Sequence, residues 1–132
     1  MRLSAPDDFE SLLPPALIID GLLGYGITGE PHGAVARLIR WANGGSAPIL
    51  ALDLPSGLDA TLGPVHQSCI LARATLTLAA LKQGLLIEGA SDLVGDLYLA
   101  DIGIPPEIYA LLGIDGEWGE RFADGDILRV IP

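Results

Sequence analysis

The chain has a single cysteine, seven basic residues and no long apolar run, and each shortage excludes a class of protein. One cysteine, Cys69, excludes an intramolecular disulfide framework, and its place in an apolar run indicates a buried thiol rather than a nucleophile. The seven basic residues stand against 17 acidic ones, for a formal net charge of −10. So acidic a chain disfavours nucleic acid and anionic membrane surfaces as partners, which leaves small molecules and proteins.

No apolar run reaches the roughly 20 residues that a transmembrane helix needs. The first ten residues carry acidic side chains where a secretory signal peptide has an apolar segment, so we expect a cytoplasmic protein. Half of the 132 residues are hydrophobic and 18% are charged, which is typical of a soluble globular chain. We expect one domain over residues 1–132, with residues 114–132 as a tail or linker.

Apolar stretches alternate with amphipathic ones along the chain. Strands are predicted at residues 16–20, 49–52, 74–81 and 96–104. Helices are predicted at residues 31–42, within residues 84–95 and at residues 107–112, and residues 127–131 form either a last strand or a linker. The alternation predicts an α/β fold with a mostly parallel sheet.

Polar side chains follow three of these strands, at the point where each strand ends. Asp20 ends the first strand, and Asp53 follows the second with Ser56 three residues later. Lys82 follows the third strand. Right-handed crossovers bring the carboxyl ends of parallel strands to one sheet edge, so we expect these four side chains to converge there. Two carboxylates, a hydroxyl and a cation suit a charged site, but Asp and Ser also brace turns and a lysine can merely be solvated, so both interpretations stay open.

Glycine-rich chain, DGLLGYGITGEPHG, begins at the end of the first strand. Its glycines at positions 24, 26 and 29 would let backbone N–H groups approach a phosphate. The spacing of these glycines alone is weak evidence for a dinucleotide-binding loop. The glycine-rich stretch also does not lead directly into a helix, as such a loop does. His32 and His66 have no partners at metal-ligand spacing, so the sequence assigns them no role.

Four strings in the chain resemble, in order and spacing, the second half of the YjeF N-terminal domain family. They are DGLLGYG at residues 20–26, ALDLPSGLDATLG at 51–63, ARATLTLAALKQGLL at 72–86 and GDLYLADIGIP at 95–105. Characterised members of that family are NAD(P)H-hydrate epimerases, which interconvert the C6 epimers of hydrated NADH or NADPH for metabolite repair. The resemblance implies a Rossmann-like, three-layer, mostly parallel sheet and an isomerase that binds these nucleotides.

The resemblance also implies roles for individual residues. A potassium ion would be bound in part by Asp20 and Ser56, through oxygen ligands. Asp53 would contact the substrate and carry the acid/base chemistry, with Lys82 as electrostatic support. The remaining substrate contacts would come from the loop formed by Gly24, Tyr25, Gly26, Ile27, Thr28, Gly29 and Glu30.

The chain also departs from the family pattern. The family's phosphate loop, GxGNNGGDG, occurs nowhere in the sequence, and the asparagine that completes the potassium site is missing with it. A sheet that starts near residue 16 would leave an unpaired apolar edge, so we expect a homo-oligomer, a partner chain that covers this edge, or a fragment of a longer product. Three hypotheses therefore stand: an epimerase half-domain that is inactive alone, a non-catalytic ligand-binding or protein-interaction module, and a residual fragment without a role of its own.

Overall fold

The computed structural model describes residues 13–27, 29–64, 66–114, 122 and 125–130. Within them, one five-stranded sheet has the order β1-β2-β3-β4-β5. The strands are β1 (Ile18–Asp20), β2 (Ile49–Leu52), β3 (Ala74–Leu78), β4 (Asp96–Ala100) and β5 (Ile127–Arg129). The helices are α1 (Gly33–Gly44), a 3₁₀ turn at Gln83–Leu85, α2 (Ser91–Val94) and α3 (Pro106–Leu111). None of the helices in these residues is long and apolar enough to cross a membrane.

The first four strands are parallel, and β5 runs antiparallel to β4. The expected mostly parallel α/β fold is therefore confirmed. The apolar stretch near the C-terminus forms a strand rather than a linker, while most of the predicted tail over residues 114–132 lies outside the described residues.

Helix α1 forms because its apolar residues recur on one face, as the sequence predicts. Ile39 and Ala42 from that face pack on Ile49 and Ala51 of β2, and all four are buried. The helix ends where the backbone N–H of Gly45 bonds to the carbonyl of Ala42. This packing fixes α1 against one face of the sheet.

Two strands end earlier than predicted, and each does so at a defined turn. Strand β3 stops at Leu78 because Ala79 adopts a left-handed backbone conformation, with φ of 64°. Strand β4 stops at Ala100, after which the N–H of Gly103 donates to the carboxylate of Asp101 at 2.8 Å. Each turn redirects the chain at the sheet edge where the polar residues of the sequence lie.

The prediction of one helix within residues 84–95 is wrong. The segment forms the 3₁₀ turn and then the four-residue helix α2, with Gly89 between them at φ of 85°. Gly89 lies in a conformation that interrupts a right-handed helix, and Gly95 ends α2 with φ of 63°. Leu85 and Val94 from the two short elements still pack into one core cluster with Leu97 of β4.

Strand β1 lies at the edge of the sheet and pairs only with β2 among the described strands. Its alternation buries Asp20 and exposes Ile19, whose side chain is 66% accessible. Ile19 and Leu50 are register partners, so the face that carries Ile19 continues across the sheet. That face is only partly covered in the described residues, since Leu52, two residues beyond Leu50, is 44% accessible.

Candidate functional site

The carboxylate of Asp20 and the hydroxyl of Ser56 form one buried pair, which we call the Asp20–Ser56 pair. The Ser56 hydroxyl donates to Asp20 Oδ1 at 2.6 Å, and the Ser56 backbone N–H donates to Oδ2 at 2.7 Å. The pair is almost fully inaccessible, at 2% for Asp20 and 0% for Ser56. Among the described residues no cation forms an ion pair with Asp20, so its buried charge is stabilised by hydrogen bonds alone.

The oxygens of this pair suit an alkali cation. Asp20 accepts a third, longer hydrogen bond from the N–H of Leu22 at 3.3 Å, which leaves part of its acceptor capacity unused. The Leu23 carbonyl lies 3.4 Å from Ser56 Oγ, so carboxylate, hydroxyl and carbonyl oxygens adjoin one another. Hard cations take such all-oxygen ligand sets. Within the described part of the chain, no group of three or more His, Cys, Asp or Glu residues has a metal-binding arrangement, so an ion here would rely on these mixed oxygens.

A second pair joins Asp53, which follows β2, to Lys82, which follows β3. Lys82 Nζ donates to Asp53 Oδ1, to Thr77 Oγ1 at 3.0 Å and to the carbonyl of Leu78 at 2.8 Å. Asp53 Oδ1 also accepts from the Leu78 N–H at 3.0 Å and from Thr77 Oγ1 at 3.3 Å. These bonds all reach Oδ1, and no described residue donates to Oδ2. Oδ1 is therefore held in place, whereas Oδ2 keeps unused acceptor capacity.

Both residues of the second pair remain accessible. The side chain of Lys82 is 18% exposed and that of Asp53 is 25% exposed. Asp53 has a left-handed backbone with φ of 69°, which is uncommon for a residue other than glycine and least costly for Asp and Asn. This conformation turns the chain sharply at the end of β2, and the N–H of Asp53 still bonds to the carbonyl of Leu76 at 2.9 Å. The turn presents the carboxylate at the sheet edge.

The structure thus brings the four strand-end residues together as two pairs rather than as one cluster. A single tight turn, residues 53–57, carries one member of each pair. Gly57 allows this turn to lie against the neighbouring chain, because a Cβ at this position would lie 2.1 Å from the Ser68 carbonyl oxygen. Its φ of 100° also favours glycine.

The glycine-rich stretch over residues 21–30, which we call the glycine loop, lies beside the Asp20–Ser56 pair. The N–H of Leu23 donates to Ser56 Oγ at 2.9 Å. Gly24, Gly26 and Gly29 each have open space where a Cβ would be, so a ligand can approach the backbone closely there. The side chain of Tyr25 is 78% exposed, and Ile27 is half-buried. Thr28 lies outside the described residues.

Glu30, at the end of the glycine loop, bonds to protein atoms on both of its oxygens. Oε1 accepts from the Ser68 N–H at 2.6 Å and Oε2 from the Gln67 N–H at 3.0 Å. These bonds, that of Ser68 first, hold the pKa of Glu30 below its ordinary value, with a smaller contribution from the charge of His66. His66 Nδ1 lies 3.5 Å from Oε2, which places a residue without a sequence-based role next to the loop.

The sequence did not identify two residues that support the second pair. Thr77 is fully buried and donates to Asp53, and the hydroxyl of Tyr109 in α3 donates to the Ala79 carbonyl at 3.0 Å. A threonine in an apolar strand, one residue before that strand ends, is a signal that points to a buried polar partner. Tyr109 gives no comparable signal, because its contact spans 30 positions.

Cys69 is a free, buried thiol, as the sequence predicts. Burial, and to a smaller extent the charge of Asp20, raises the pKa of Cys69 to about 12. The thiol is therefore neutral at physiological pH and unsuited to nucleophilic catalysis. His32 is exposed at the start of α1 and its side chain makes no capping hydrogen bond.

Comparisons with known proteins match this chain to one family. The model of the YjeF-related protein N-terminus matches residues 2–84. The chain is 44% identical over 114 residues to an NAD(P)H-hydrate epimerase of Dehalogenimonas lykanthroporepellens, which covers 86% of this chain and 44% of that protein. It is 38% identical over 107 residues to the enzyme of the same name from Cenarchaeum symbiosum, covering 81% of this chain and 49% of that one.

A longer relative and a solved structure agree with these matches. The chain is 39% identical over 111 residues to a bifunctional NAD(P)H-hydrate repair enzyme of Leishmania braziliensis, covering 84% of this chain and 20% of that protein. The crystal structure of the yeast protein ynu0 superposes with a TM-score of 0.69 at 18% identity, over 87% of this chain and 46% of that one, which is a likeness of fold. The chain spans less than half the length of each of these relatives.

Proposed function

Because this chain belongs to the YjeF-related N-terminal domain family, we propose that it provides the acid/base and cation-binding half of an NAD(P)H-hydrate epimerase. The observation that carries the proposal is the Asp53–Lys82 pair, in which one carboxylate oxygen is held and the other accepts no hydrogen bond from a described residue. The pair lies at the carboxyl edge of a parallel sheet, where ligands of such folds bind. Curated relatives named NAD(P)H-hydrate epimerase support the choice of reaction.

The geometry suits the proton transfers that C6 epimerisation requires. The C6 hydroxyl receives a proton and leaves as water, and the electron pair of the ring nitrogen stabilises the positive charge left at C6. Water then returns to the opposite face and loses a proton. The Lys82–Asp53 pair can supply and recover that proton through Asp53, while the bonds from Lys82 and the Leu78 N–H keep the carboxylate in place.

The other parts of the site would bind the phosphates of the substrate. The glycine loop has open space where a Cβ would be at Gly24, Gly26 and Gly29, so an anion could approach its backbone N–H groups closely. Asp20 and Ser56 would hold a potassium ion, whose charge would offset the acidity of the chain and attract the anionic nucleotide. Tyr25, Ile27 and Thr28 complete the proposed substrate contacts of this loop.

The decisive experiment is turnover of hydrated NADPH by this chain joined to, or mixed with, the remainder of the family domain. Replacing Asp53 with Asn keeps the shape of the side chain and removes its acid/base function, so we expect turnover to fall by at least about 100-fold. Asp101→Asn is the matched control, because Asp101 also follows a strand but, among the described residues, its carboxylate accepts only from the Gly103 N–H of its own turn. Normal turnover by Asp53→Asn, with Asp101→Asn also normal, would refute the assignment.

We also propose that a further polypeptide covers the outer edge of β1, either a second copy of the chain or a partner that supplies the rest of the domain. The support is the single neighbour of β1 among the described strands and the 66% exposure of Ile19 beside it. Light scattering at micromolar concentration should show association that Ile19→Lys abolishes. Leu62→Lys, at a site 62% exposed in a loop, should leave it intact, and a stable monomer that recruits no partner would contradict this proposal.

A further inference from the structure

The glycine loop is hydrogen-bonded near both of its ends to the chain that follows β2, at Ser56, Gln67 and Ser68. Near its start, the Leu23 N–H donates to Ser56 Oγ at 2.9 Å. At its end, the two oxygens of Glu30 accept from the backbone N–H groups of Gln67 and Ser68. The segment between these attachments contains the glycines with open space beside their backbone.

The backbone at Gln67 and Ser68, which donates hydrogen bonds to Glu30, is itself held by the turn that carries Ser56. The Ile70 N–H donates to the Ser56 carbonyl at 2.9 Å. The backbone of Ser68 packs so closely on Gly57 that no side chain fits between them. Glu30 therefore binds amides whose position is set by the same turn that places Ser56 and Asp53.

The chemistry of Glu30 argues against direct contact with the substrate. Both of its oxygens are engaged, and a carboxylate would repel the phosphates of a nucleotide. Its charge is instead stabilised by two amide donors, and His66, whose side chain is 13% exposed, lies 3.5 Å from Oε2. The lowered pKa of Glu30 agrees with a carboxylate that stays ionised in this setting.

We propose that Glu30 is a positioning residue that anchors the glycine loop to the Gln67–Ser68 backbone and so holds the loop's amides ready for an anion beside the Asp20–Ser56 pair. This assigns Glu30 a different role from the substrate contact that the family resemblance implies. Its effect on substrate affinity rests on the proposed function, whereas the anchoring itself does not.

The anchoring is tested by amide hydrogen exchange of the chain as it stands. In Glu30→Ala, exchange should accelerate by about tenfold or more at Gln67, Ser68 and the glycine loop, because the loss of a charged acceptor releases both amides. Glu30→Gln should show a smaller change, since its carbonyl oxygen can still accept one of the two bonds. Glu88→Ala, at an exposed glutamate outside the site, is the matched control and should change nothing in these segments.

The positioning role is tested by the kinetics of the complete domain with hydrated NADPH. Glu30→Ala should raise KM about tenfold and leave kcat within about twofold, because a displaced loop weakens ground-state and transition-state binding alike. Unchanged exchange in Glu30→Ala would overturn the anchoring. A raised KM with unchanged exchange would instead make Glu30 a substrate contact, and faster exchange with unchanged KM would overturn the positioning role.

Failure of the proposed function gives a different result from failure of this inference. If the wild-type domain shows no turnover, the proposed reaction is wrong, and the exchange comparison alone then decides whether Glu30 anchors the loop. Glu30→Gln keeps that comparison valid even where Glu30→Ala folds poorly.

Discussion

Ser56→Ala should destabilise the fold by an amount far larger than a serine normally contributes. The substitution removes the 2.6 Å hydrogen bond from the hydroxyl to Asp20 and the 2.9 Å bond from the Leu23 N–H to the hydroxyl. A hydrogen bond to a charged group contributes about 1.5–3 kcal/mol and a neutral one about 0.5–1.5 kcal/mol. Because both residues of the pair are buried, water cannot replace the lost donor, and we expect a total loss of about 2–4 kcal/mol.

Urea unfolding and thermal unfolding of the two proteins measure this loss directly. For a chain of this length it corresponds to a fall in Tm of about 10 °C. Ser46→Ala is the matched control, since Ser46 is exposed in the turn after α1, and it should change stability by less than about 0.5 kcal/mol. A loss below about 1 kcal/mol for Ser56→Ala would refute the reasoning, because it would mean that Asp20 does not depend on this donor.

The same comparison tests the potassium proposal. An ion that binds only the folded chain raises Tm as its concentration rises. Wild-type protein should therefore be more stable in potassium than in sodium at equal ionic strength, and Ser56→Ala should lose that difference. Equal Tm values in the two salts for the wild type would contradict a potassium site at the Asp20–Ser56 pair.

Three further predictions follow from single contacts. Gly57→Ala should lower the free energy of unfolding by about 3 kcal/mol or more in urea titrations, because of its positive φ and the Ser68 carbonyl, whereas Gly44→Ala, with open space beside it, should be nearly neutral. Cys69 should react with a thiol reagent at pH 8 only as fast as the chain unfolds, since its pKa is raised to about 12, and rapid native-state labelling would contradict its burial. The lowered pKa of Glu30 stabilises the fold above its unfolded value of 4.5, and this stabilisation is lost as pH falls through the folded value, so Glu30→Ala should lose less stability than wild type when unfolding is measured at decreasing pH.

Sequence reasoning located the strand-end residues because a simple rule governs them. Asp20, Asp53 and Lys82 each follow an apolar stretch of strand length, and parallel strands place such ends at one sheet edge. The rule predicts which edge of the sheet carries these residues, but not which of them bond to one another. Which carboxylate meets the lysine depends on the turn after each strand, and the left-handed conformation of Asp53 is not encoded in hydrophobic periodicity.

The contacts of Glu30 could not be predicted for a different reason. Its partners are backbone N–H groups of Gln67 and Ser68, 37 and 38 positions away, and a backbone donor leaves no trace in the residue types of a sequence. The helix predicted within residues 84–95 failed for a third reason. Its apolar residues pack as expected in the core, but Gly89 interrupts the backbone between them.

The strain at the sheet edge explains how one lysine comes to be held by two neighbouring strands. Asp53 after β2 and Ala79 after β3 both have left-handed backbones, at φ of 69° and 64°. Each such residue costs of order 1 kcal/mol or more, and each is offset by a contact that depends on it. At Asp53 the offset is the bond to Lys82, and at Ala79 it is the hydrogen bond from Tyr109. The turn at Ala79 returns the chain so that Lys82 Nζ reaches back to the Leu78 carbonyl, with the Asp53 carboxylate on its other side.

Tyr109→Phe removes the hydroxyl that bonds to this turn. It should therefore lower turnover in the complete domain by more than the loss of folded protein, followed through Tm, accounts for. A fall in turnover no larger than the loss of folded protein would show that the strained turn serves folding alone.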